Sequence, residues 1–214
     1  MTIGWRPCTG LLHESIDGLK VNDILTADLI TRCLDRNISG GGSGTSSDEW
    51  DRLDPAAVLV PLYQEKGAWR LLLIRRSGQV ATHKSQIAFP GGRRDDTDQD
   101  DRATALRETR EEIGLDPENI RVLGFLSHQA TSTTGFLIVP VVGVLSFPFQ
   151  LAPAPEEVAG VLSVPLDFFL AAEPLVQGDH RRYQYGEDLI WGATAAIIEQ
   201  LILRLKSGIK SASS

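Results

Sequence analysis

The strongest constraint in this sequence is a set of three glutamates, Glu108, Glu111 and Glu112, in a stretch with the features of a helix. Residues 100–114 begin with acidic side chains, continue with alanine and leucine, and end at a glycine, which are common start and stop signals of a helix. A helix turns by about 100° per residue, so positions i, i+3 and i+4 share one face. The carboxylates are therefore expected to converge on a single point.

Clustered carboxylates repel one another and cost stability unless a cation lies among them. Hard oxygen ligands of this kind suit Mg²⁺ or Mn²⁺, which keep coordination positions for water and phosphate oxygens. A solvated acidic face without a function is the common alternative. The preceding turn, Phe89-Pro90-Gly91-Gly92, favours a metal site, because it lets the backbone approach the carboxylates and add a carbonyl ligand.

The length and charge of the chain limit its functional class. Its 214 residues suffice for one domain of roughly 150 residues plus appended segments. The formal net charge is -7 and no long run of Lys and Arg is present, so nucleic-acid binding is not expected. A small anion can still bind through metal ions and a few arginines.

Cysteine usage and hydropathy indicate the compartment. Cys8 and Cys33 have no CxxC spacing, so neither a disulfide framework nor a zinc site is indicated, and a reducing compartment fits. No export signal or membrane span is visible in the sequence. We therefore expect a cytoplasmic protein that does not bind a membrane, and a homodimer stays open.

The N-terminal part of the chain differs from the rest in composition. Apolar residues recur at a helical period over residues 22–36, which predicts an amphipathic helix. Residues 39–47 are Gly and Ser apart from one Thr, which is typical of a flexible linker. We therefore expect residues 1–50 to form a helix plus linker that precedes a main domain at residues 51–210.

The main domain shows apolar runs separated by turn residues and helical patterns. Strands are predicted at residues 56–63, 69–76, 121–127 and 135–145, with a hairpin over 181–191, a long loop over 77–100, and helices at 100–114, 156–161, 166–171 and 193–206. Strands with helices between them predict an α/β (α+β) fold in which a mixed β-sheet is sandwiched between α-helices.

Residues 92–115 resemble the Nudix box, whose general form is G, five residues, E, seven residues, then R-E-U-x-E-E-x-G-U, where U is apolar. The positions from Arg107 to Leu115 match this ending, and among them only Thr109 departs from the pattern. Asp98 stands where Glu is usual, and the spacer between it and Arg107 is one residue longer. Both differences are similar to the coenzyme A diphosphatase branch of the family.

That branch also has an upstream signature, roughly L-L-T-x-R-S, a short spacer, L-R-x-H-x-G-Q, and then F-P-G-G. The counterparts in this sequence are residues 72–77, His83, Gln86 and residues 89–92. Ala81 and Ser85 stand where the signature has Arg and Gly. Further matches downstream extend the similarity to about residues 56–206. The resemblance implies a Nudix fold.

The resemblance also implies roles for individual residues. The metal ligands would be Glu108, Glu111 and Glu112 through their carboxylates and Gly91 through its carbonyl oxygen. Arg107 would hold a catalytic carboxylate in place, a task that suits a planar bidentate donor, with an ordinary surface ion pair as the alternative. The attacking water would give its proton to Glu111, Glu112 or a loop residue such as Glu157, for which a plain position at a helix N-terminus is the alternative.

Basic residues surround the glycine turn, and some of them are expected to contact substrate phosphates. The candidates are Arg76, His83 and Arg93, while other basic side chains nearby are expected to face solvent. The resemblance implies a metal-dependent hydrolase that cleaves coenzyme A or a derivative into 3′,5′-ADP and 4′-phosphopantetheine.

Two alternatives stay open for the function. The first is the same chemistry on another nucleoside diphosphate derivative, such as ADP-ribose, a dinucleotide or an oxidised nucleotide. The second is a catalytically silent Nudix-fold binding module. The intact glutamates Glu108, Glu111 and Glu112 speak against a silent module, since it has no need to keep repelling carboxylates together.

Overall fold

The computed structural model describes residues 24–36, 50, 52–78, 85–131, 134–172, 174–177 and 180–212. Within these ranges the helices are α1 (Ala27–Arg32), α2 (Asp101–Ile113), α3 (Leu166–Ala171) and α4 (Gly192–Ala212), with a 3₁₀ turn at Pro117–Asn119. The strands are β1 (Asp54–Glu65), β2 (Ala68–Arg76), β3 (Ile87–Ala88), β4 (Gly91–Arg93), β5 (Ile120–Phe125), β6 (Gln129–Ala130), β7 (Phe136–Leu145), β8 (Val158–Pro165), β9 (Leu175–Gln177), β10 (His180–Tyr185) and β11 (Asp188–Ile190).

The centre of the molecule is a mixed sheet built on β1. Its main path has the order β3-β2-β1-β7-β5, while β4 pairs with β1, β6 with β7 and β8 with β2. Strand β1 runs antiparallel to β2 and parallel to β7. Side chains of β1 are buried on both faces, as expected of a strand covered from two sides. The remaining strands form a smaller sheet of order β11-β10-β9.

Helices cover both faces of the main sheet. On one face, α1 and α4 bury Ile30 and Leu201 in the same apolar cluster as Leu71 of β2. On the other face, α2 buries Ala105 together with Leu59 of β1. The predicted α/β fold with a mixed sheet between helices is therefore confirmed. No helix in the described part of the chain is long and apolar enough to cross a membrane.

The helix predicted at residues 156–161 is wrong, because a turn at 155–157 leads directly into β8. Strand β8 pairs antiparallel with β2 over Arg70↔Pro165 to Arg76↔Val158. This pairing satisfies the backbone groups along an edge of β2 that would otherwise lack partners. Valines recur along β8, and β-branched residues favour a strand. The long loop predicted at residues 77–100 likewise contains the short strands β3 and β4.

The predicted N-terminal helix is shorter than expected and lies in the main core. Helix α1 begins after Thr26, whose side chain accepts a hydrogen bond from the Leu29 backbone N–H. Leu25 and Leu29 are buried in the cluster that contains α4, and the Trp69 indole N–H donates to the Leu25 carbonyl at 2.6 Å. The predicted linker lies outside the described residues, and the domain boundary after residue 50 stays a prediction.

Candidate active site

Helix α2 confirms the helix predicted at residues 100–114. Asp100 begins it by accepting a hydrogen bond from the Ala103 backbone N–H, and Gly114 ends it with a left-handed backbone at φ 69°, as is common at helix ends. Thr109, the one departure from the apolar pattern, is fully buried. Its hydroxyl donates to the Ala105 carbonyl at 2.6 Å, which satisfies its polar atom inside the core.

The glycine turn brings the backbone against two of the glutamates. Gly91 has φ 148°, and a Cβ there would lie 2.5 Å from the Cα of Val58 in β1. A Cβ at Gly92 would lie 2.5 Å from the carboxyl carbon of Glu108. The Gly91 N–H donates to Glu112 at 2.9 Å. The predicted close approach is confirmed, and a larger residue at either glycine would displace β1 or Glu108.

Glu112 is the most deeply buried acidic side chain of this group, with 1% of its surface exposed. Its second oxygen lies 3.3 Å from a terminal nitrogen of Arg76. Burial, with a smaller contribution from Glu108 and Glu157, raises the pKa of Glu112 to about 7, although the Gly91 N–H and Arg76 act against this rise. Glu112 is thus a carboxylate with too little positive charge around it.

Glu157 belongs to the same electrostatic group. Burial raises the pKa of Glu108, and the negative charges of Glu111 and Glu157 add to that rise, while Arg107 opposes it. Glu157 therefore acts on both Glu108 and Glu112. It lies in the turn before β8 and not at a helix N-terminus, so the tertiary pairing of β8 with β2 places it at the site.

Arg107 joins two of the glutamates to the loop before the helix. Its guanidinium donates to both oxygens of Asp98 at 2.9 Å. Its remaining terminal nitrogen donates to Glu108 at 2.9 Å and to Glu111 at 3.1 Å. This geometry differs from an isolated surface ion pair, because one planar group fixes three carboxylates.

Asp98 is the residue whose role the sequence did not indicate. Its side chain is 4% exposed, and it also accepts a hydrogen bond from the Thr104 hydroxyl at 2.9 Å. The Arg107 guanidinium holds the pKa of Asp98 well below its usual range, against the opposing effect of burial. The shorter acidic residue of the longer loop thus still reaches Arg107.

The predicted substrate residues lie in different places. Arg76 reaches the glutamates, as described above. The Arg93 side chain is exposed and pairs with Asp54 at 3.2 Å, while its carbonyl oxygen accepts a hydrogen bond from Arg107 at 3.1 Å. His83 lies outside the described residues. Only Arg76 among these candidates therefore contacts a glutamate in the described part of the chain.

Ser85 explains why the upstream signature favours glycine at this position. Its φ is 59°, in the left-handed region that L-residues other than Gly, Asn and Asp rarely adopt. The Ser85 N–H donates to the Arg76 carbonyl at 3.1 Å, and the Arg76 N–H donates to the Gln86 carbonyl at 2.9 Å. These bonds fix the backbone of Arg76 at the end of β2.

The motif, the glycine turn and the mixed sheet agree with one protein family. The NUDIX domain profile matches residues 53–184. The chain belongs to the Nudix family. It is accordingly a hydrolase that cleaves diphosphate bonds.

Similar proteins support this assignment. The Nudix hydrolase NudL of Pectobacterium atrosepticum is 43% identical over 159 residues, which are 70% of this chain and 82% of that protein. Mouse peroxisomal coenzyme A diphosphatase NUDT7 is 41% identical over 134 residues, which are 63% of this chain and 56% of that protein. The resemblance to the coenzyme A diphosphatase branch is thus confirmed.

A solved structure supports the fold. A MutT/nudix family protein from Enterococcus faecalis superposes with a TM-score of 0.51 at 17% identity, over 78% of this chain and 66% of that protein. At this identity the likeness concerns the fold alone.

Nudix hydrolases generally use divalent metal ions. In the described part of this Nudix hydrolase, no three His, Cys, Asp or Glu side chains already surround a common point as a metal cage. Guanidinium groups of Arg107 and Arg76 contact the glutamate oxygens instead. The donor set still fits a hard cation, because such an ion would meet the same oxygens and supply the positive charge that Glu108 and Glu112 lack.

The Asp98–Arg107 pair generates a prediction about stability. We expect Asp98→Asn to lower the free energy of unfolding by about 1.5–3 kcal/mol at pH 7, since it removes a charged partner from a buried pair. Because the folded pKa of Asp98 is lowered, this contribution is present above about pH 4 and declines as the pH falls towards the folded value. Urea unfolding at pH 7 and pH 3 measures both effects.

The matched control is Asp95→Asn, which changes an exposed turn carboxylate whose hydrogen bonds, among the described residues, come from Thr97. Its effect at pH 7 should be smaller than that of Asp98→Asn. Equal effects of the two variants would contradict the structural role assigned to Asp98.

Proposed function

We propose that this Nudix hydrolase cleaves the diphosphate bond of coenzyme A or a derivative and releases 3′,5′-ADP and 4′-phosphopantetheine. The observation that carries the proposal is the 41% identity to mouse coenzyme A diphosphatase NUDT7. It is supported by the longer loop with Asp98 and by the upstream residues 72–77 and 89–92. A cytoplasmic location and a homodimer stay predictions.

The proposed metal ligands are Glu108, Glu111 and Glu112 with the Gly91 carbonyl. Bound Mg²⁺ or Mn²⁺ would neutralise the diphosphate and lower the pKa of a water at the site. The support for this role is that Glu108 and Glu112 lie beside the glycine turn and that burial raises the pKa of both. Glu111 is more exposed and is tied to Arg107.

Glu157 is the proposed proton acceptor for the attacking water. Glu112 is buried and already accepts hydrogen bonds from Gly91 and Arg76, and Glu111 bonds to Arg107. The Glu157 side chain is exposed and close enough to Glu108 and Glu112 to raise the pKa of both. Glu157 has no ion pair among the described residues, so its oxygens are less engaged than those of Glu111 and Glu112.

Arg107 is the proposed positioning residue for this arrangement. Its bonds to Asp98, Glu108 and Glu111 fix the direction of the carboxylates relative to the loop. A lysine could not replace it, because a single ammonium cannot donate in two parallel directions. The support is geometric, since Arg107 lies within hydrogen-bond distance of Glu108 and Glu111.

The first prediction on function concerns the metal. We expect hydrolysis to require added Mg²⁺ or Mn²⁺. We also expect Glu112→Gln to keep the fold but lose most turnover, because the substitution removes the charge of a metal ligand at nearly constant side-chain volume. The measurement is product release at saturating metal, with folding checked by circular dichroism. Glu118→Gln, at an exposed position in the Pro117–Asn119 turn, is the matched control. A folded Glu112→Gln protein that turns over like the parent would show that the assigned metal centre is wrong.

The second prediction on function concerns the substrate. We expect a higher kcat/KM for coenzyme A than for ADP-ribose, measured together with dephospho-coenzyme A under one metal condition. Ala81 replaces an Arg of the signature, and loss of a charge-assisted bond of about 1.5–3 kcal/mol raises KM by roughly tenfold to a hundredfold. A higher efficiency on ADP-ribose than on either coenzyme A species would contradict the substrate assignment and leave the family assignment intact.

A further inference from the structure

Each of the predicted metal ligands on α2 has an arginine partner. Arg107 bonds to Glu108 and Glu111, and Arg76 contacts Glu112 at 3.3 Å. The two arginines differ in how they are held. Arg107 is anchored by both oxygens of Asp98, whereas the contact with Glu112 is the one hydrogen bond of the Arg76 side chain among the described residues.

The Arg76 guanidinium is poorly satisfied where it lies. Its Nε is buried and has no hydrogen-bond partner among the described residues. Its 3.3 Å contact with Glu112 is long for a charge-assisted hydrogen bond. A guanidinium has five N–H donors, so most of its bonding capacity is unused within the described part of the chain. Charge holds the side chain at Glu112 more than directional bonds do.

The backbone of Arg76, by contrast, is fixed. It is the last residue of β2, and its N–H and carbonyl both bond to the start of the segment that leads into β3. Only the side chain can therefore change its direction. Its side chain is 23% exposed, so part of it meets solvent although it contacts the buried Glu112.

We propose that Arg76 is a positioning residue that serves as the counter-ion of Glu112 until a divalent metal takes its place, and that it then turns to a phosphate of the substrate. A buried carboxylate without a positive partner is costly, and Arg76 supplies such a partner to Glu112. A metal at the same carboxylate repels the guanidinium and releases its donors for a bidentate contact with phosphate.

The consequence is positive coupling between metal and diphosphate. Metal binding releases Arg76 for the anion, and the anion holds Arg76 away from Glu112, so that each ligand raises the affinity for the other by the same factor. The proposal rests on the metal site proposed above but does not depend on which diphosphate is the substrate.

The test is equilibrium Mn²⁺ binding to the full chain, with free Mn²⁺ measured by electron paramagnetic resonance. We expect Arg76→Gln to bind Mn²⁺ alone about tenfold more tightly than the parent, because the competing charge is gone. Arg76→Lys, which keeps the charge, should bind Mn²⁺ close to the parent. Arg75→Gln is the matched control, since the Arg75 side chain pairs with Asp188 at 2.5 Å and not with a glutamate of α2.

A second series repeats the titration with saturating α,β-methylene-ADP, a diphosphate that cannot be hydrolysed at its bridge. In the parent and in Arg75→Gln this anion should tighten Mn²⁺ binding, and in Arg76→Gln the tightening should be smaller, because only the direct attraction between metal and diphosphate is left. Arg76→Gln should also unfold at a lower temperature than the parent in EDTA, and this difference should shrink at saturating Mn²⁺.

Three outcomes would overturn the proposal. If folded Arg76→Gln binds Mn²⁺ no more tightly than the parent, the role proposed for Arg76 is contradicted and the proposed metal site is not. Coupling between Mn²⁺ and the diphosphate that is as strong in Arg76→Gln as in the parent would do the same. If the parent does not bind Mn²⁺, the proposed metal site itself is contradicted. Failure of the Arg76 role and failure of the metal site therefore give different results.

Discussion

The need for positive charge at one buried carboxylate organises the candidate site. Glu112 is 1% exposed, and among the described residues its negative charge is offset by the Gly91 N–H and by a 3.3 Å contact with Arg76. That N–H can reach Glu112 because Gly91 lies against β1 with a backbone that needs glycine. The Gly91 N–H is therefore placed at the Glu112 carboxylate by three features together: the glycine turn, strand β4 and the position of α2 on the sheet. A divalent cation would complete what the two partners supply in part.

The second anchor of the site is the pair of Asp98 and Arg107. It ties the acidic loop to α2 and turns Arg107 towards Glu108 and Glu111. Arg107 contacts Glu108 and Glu111, and Arg76 contacts Glu112, so each of the three glutamates has one partly compensating arginine. The two arginines are held unequally, since Arg107 is fixed by a bidentate bond and Arg76 is not. This difference is the basis for proposing that Arg76, and not Arg107, gives way to a metal.

Much of this arrangement could be predicted from the sequence, because it depends on local spacing. The positions of Glu108, Glu111 and Glu112 follow from the period of one helix, and the glycine turn is separated from that helix by one short loop. The mixed sheet between helices was predictable from the order of the elements.

What could not be predicted depends on tertiary pairing. The helix predicted at residues 156–161 was wrong because the edge of β2 recruits this segment as β8, and that pairing is what brings Glu157 to the site. Spacing alone also does not tell that Arg76 turns inwards while the Arg93 side chain faces solvent beside Asp54.

The most direct test of the proposed metal site is anomalous diffraction from crystals of the protein soaked in Mn²⁺. The account predicts an anomalous peak beside the carboxylates of Glu108 and Glu112, with the Arg76 guanidinium moved away from Glu112. A peak only at other carboxylates, or Arg76 still on Glu112 beside a bound ion, would contradict it.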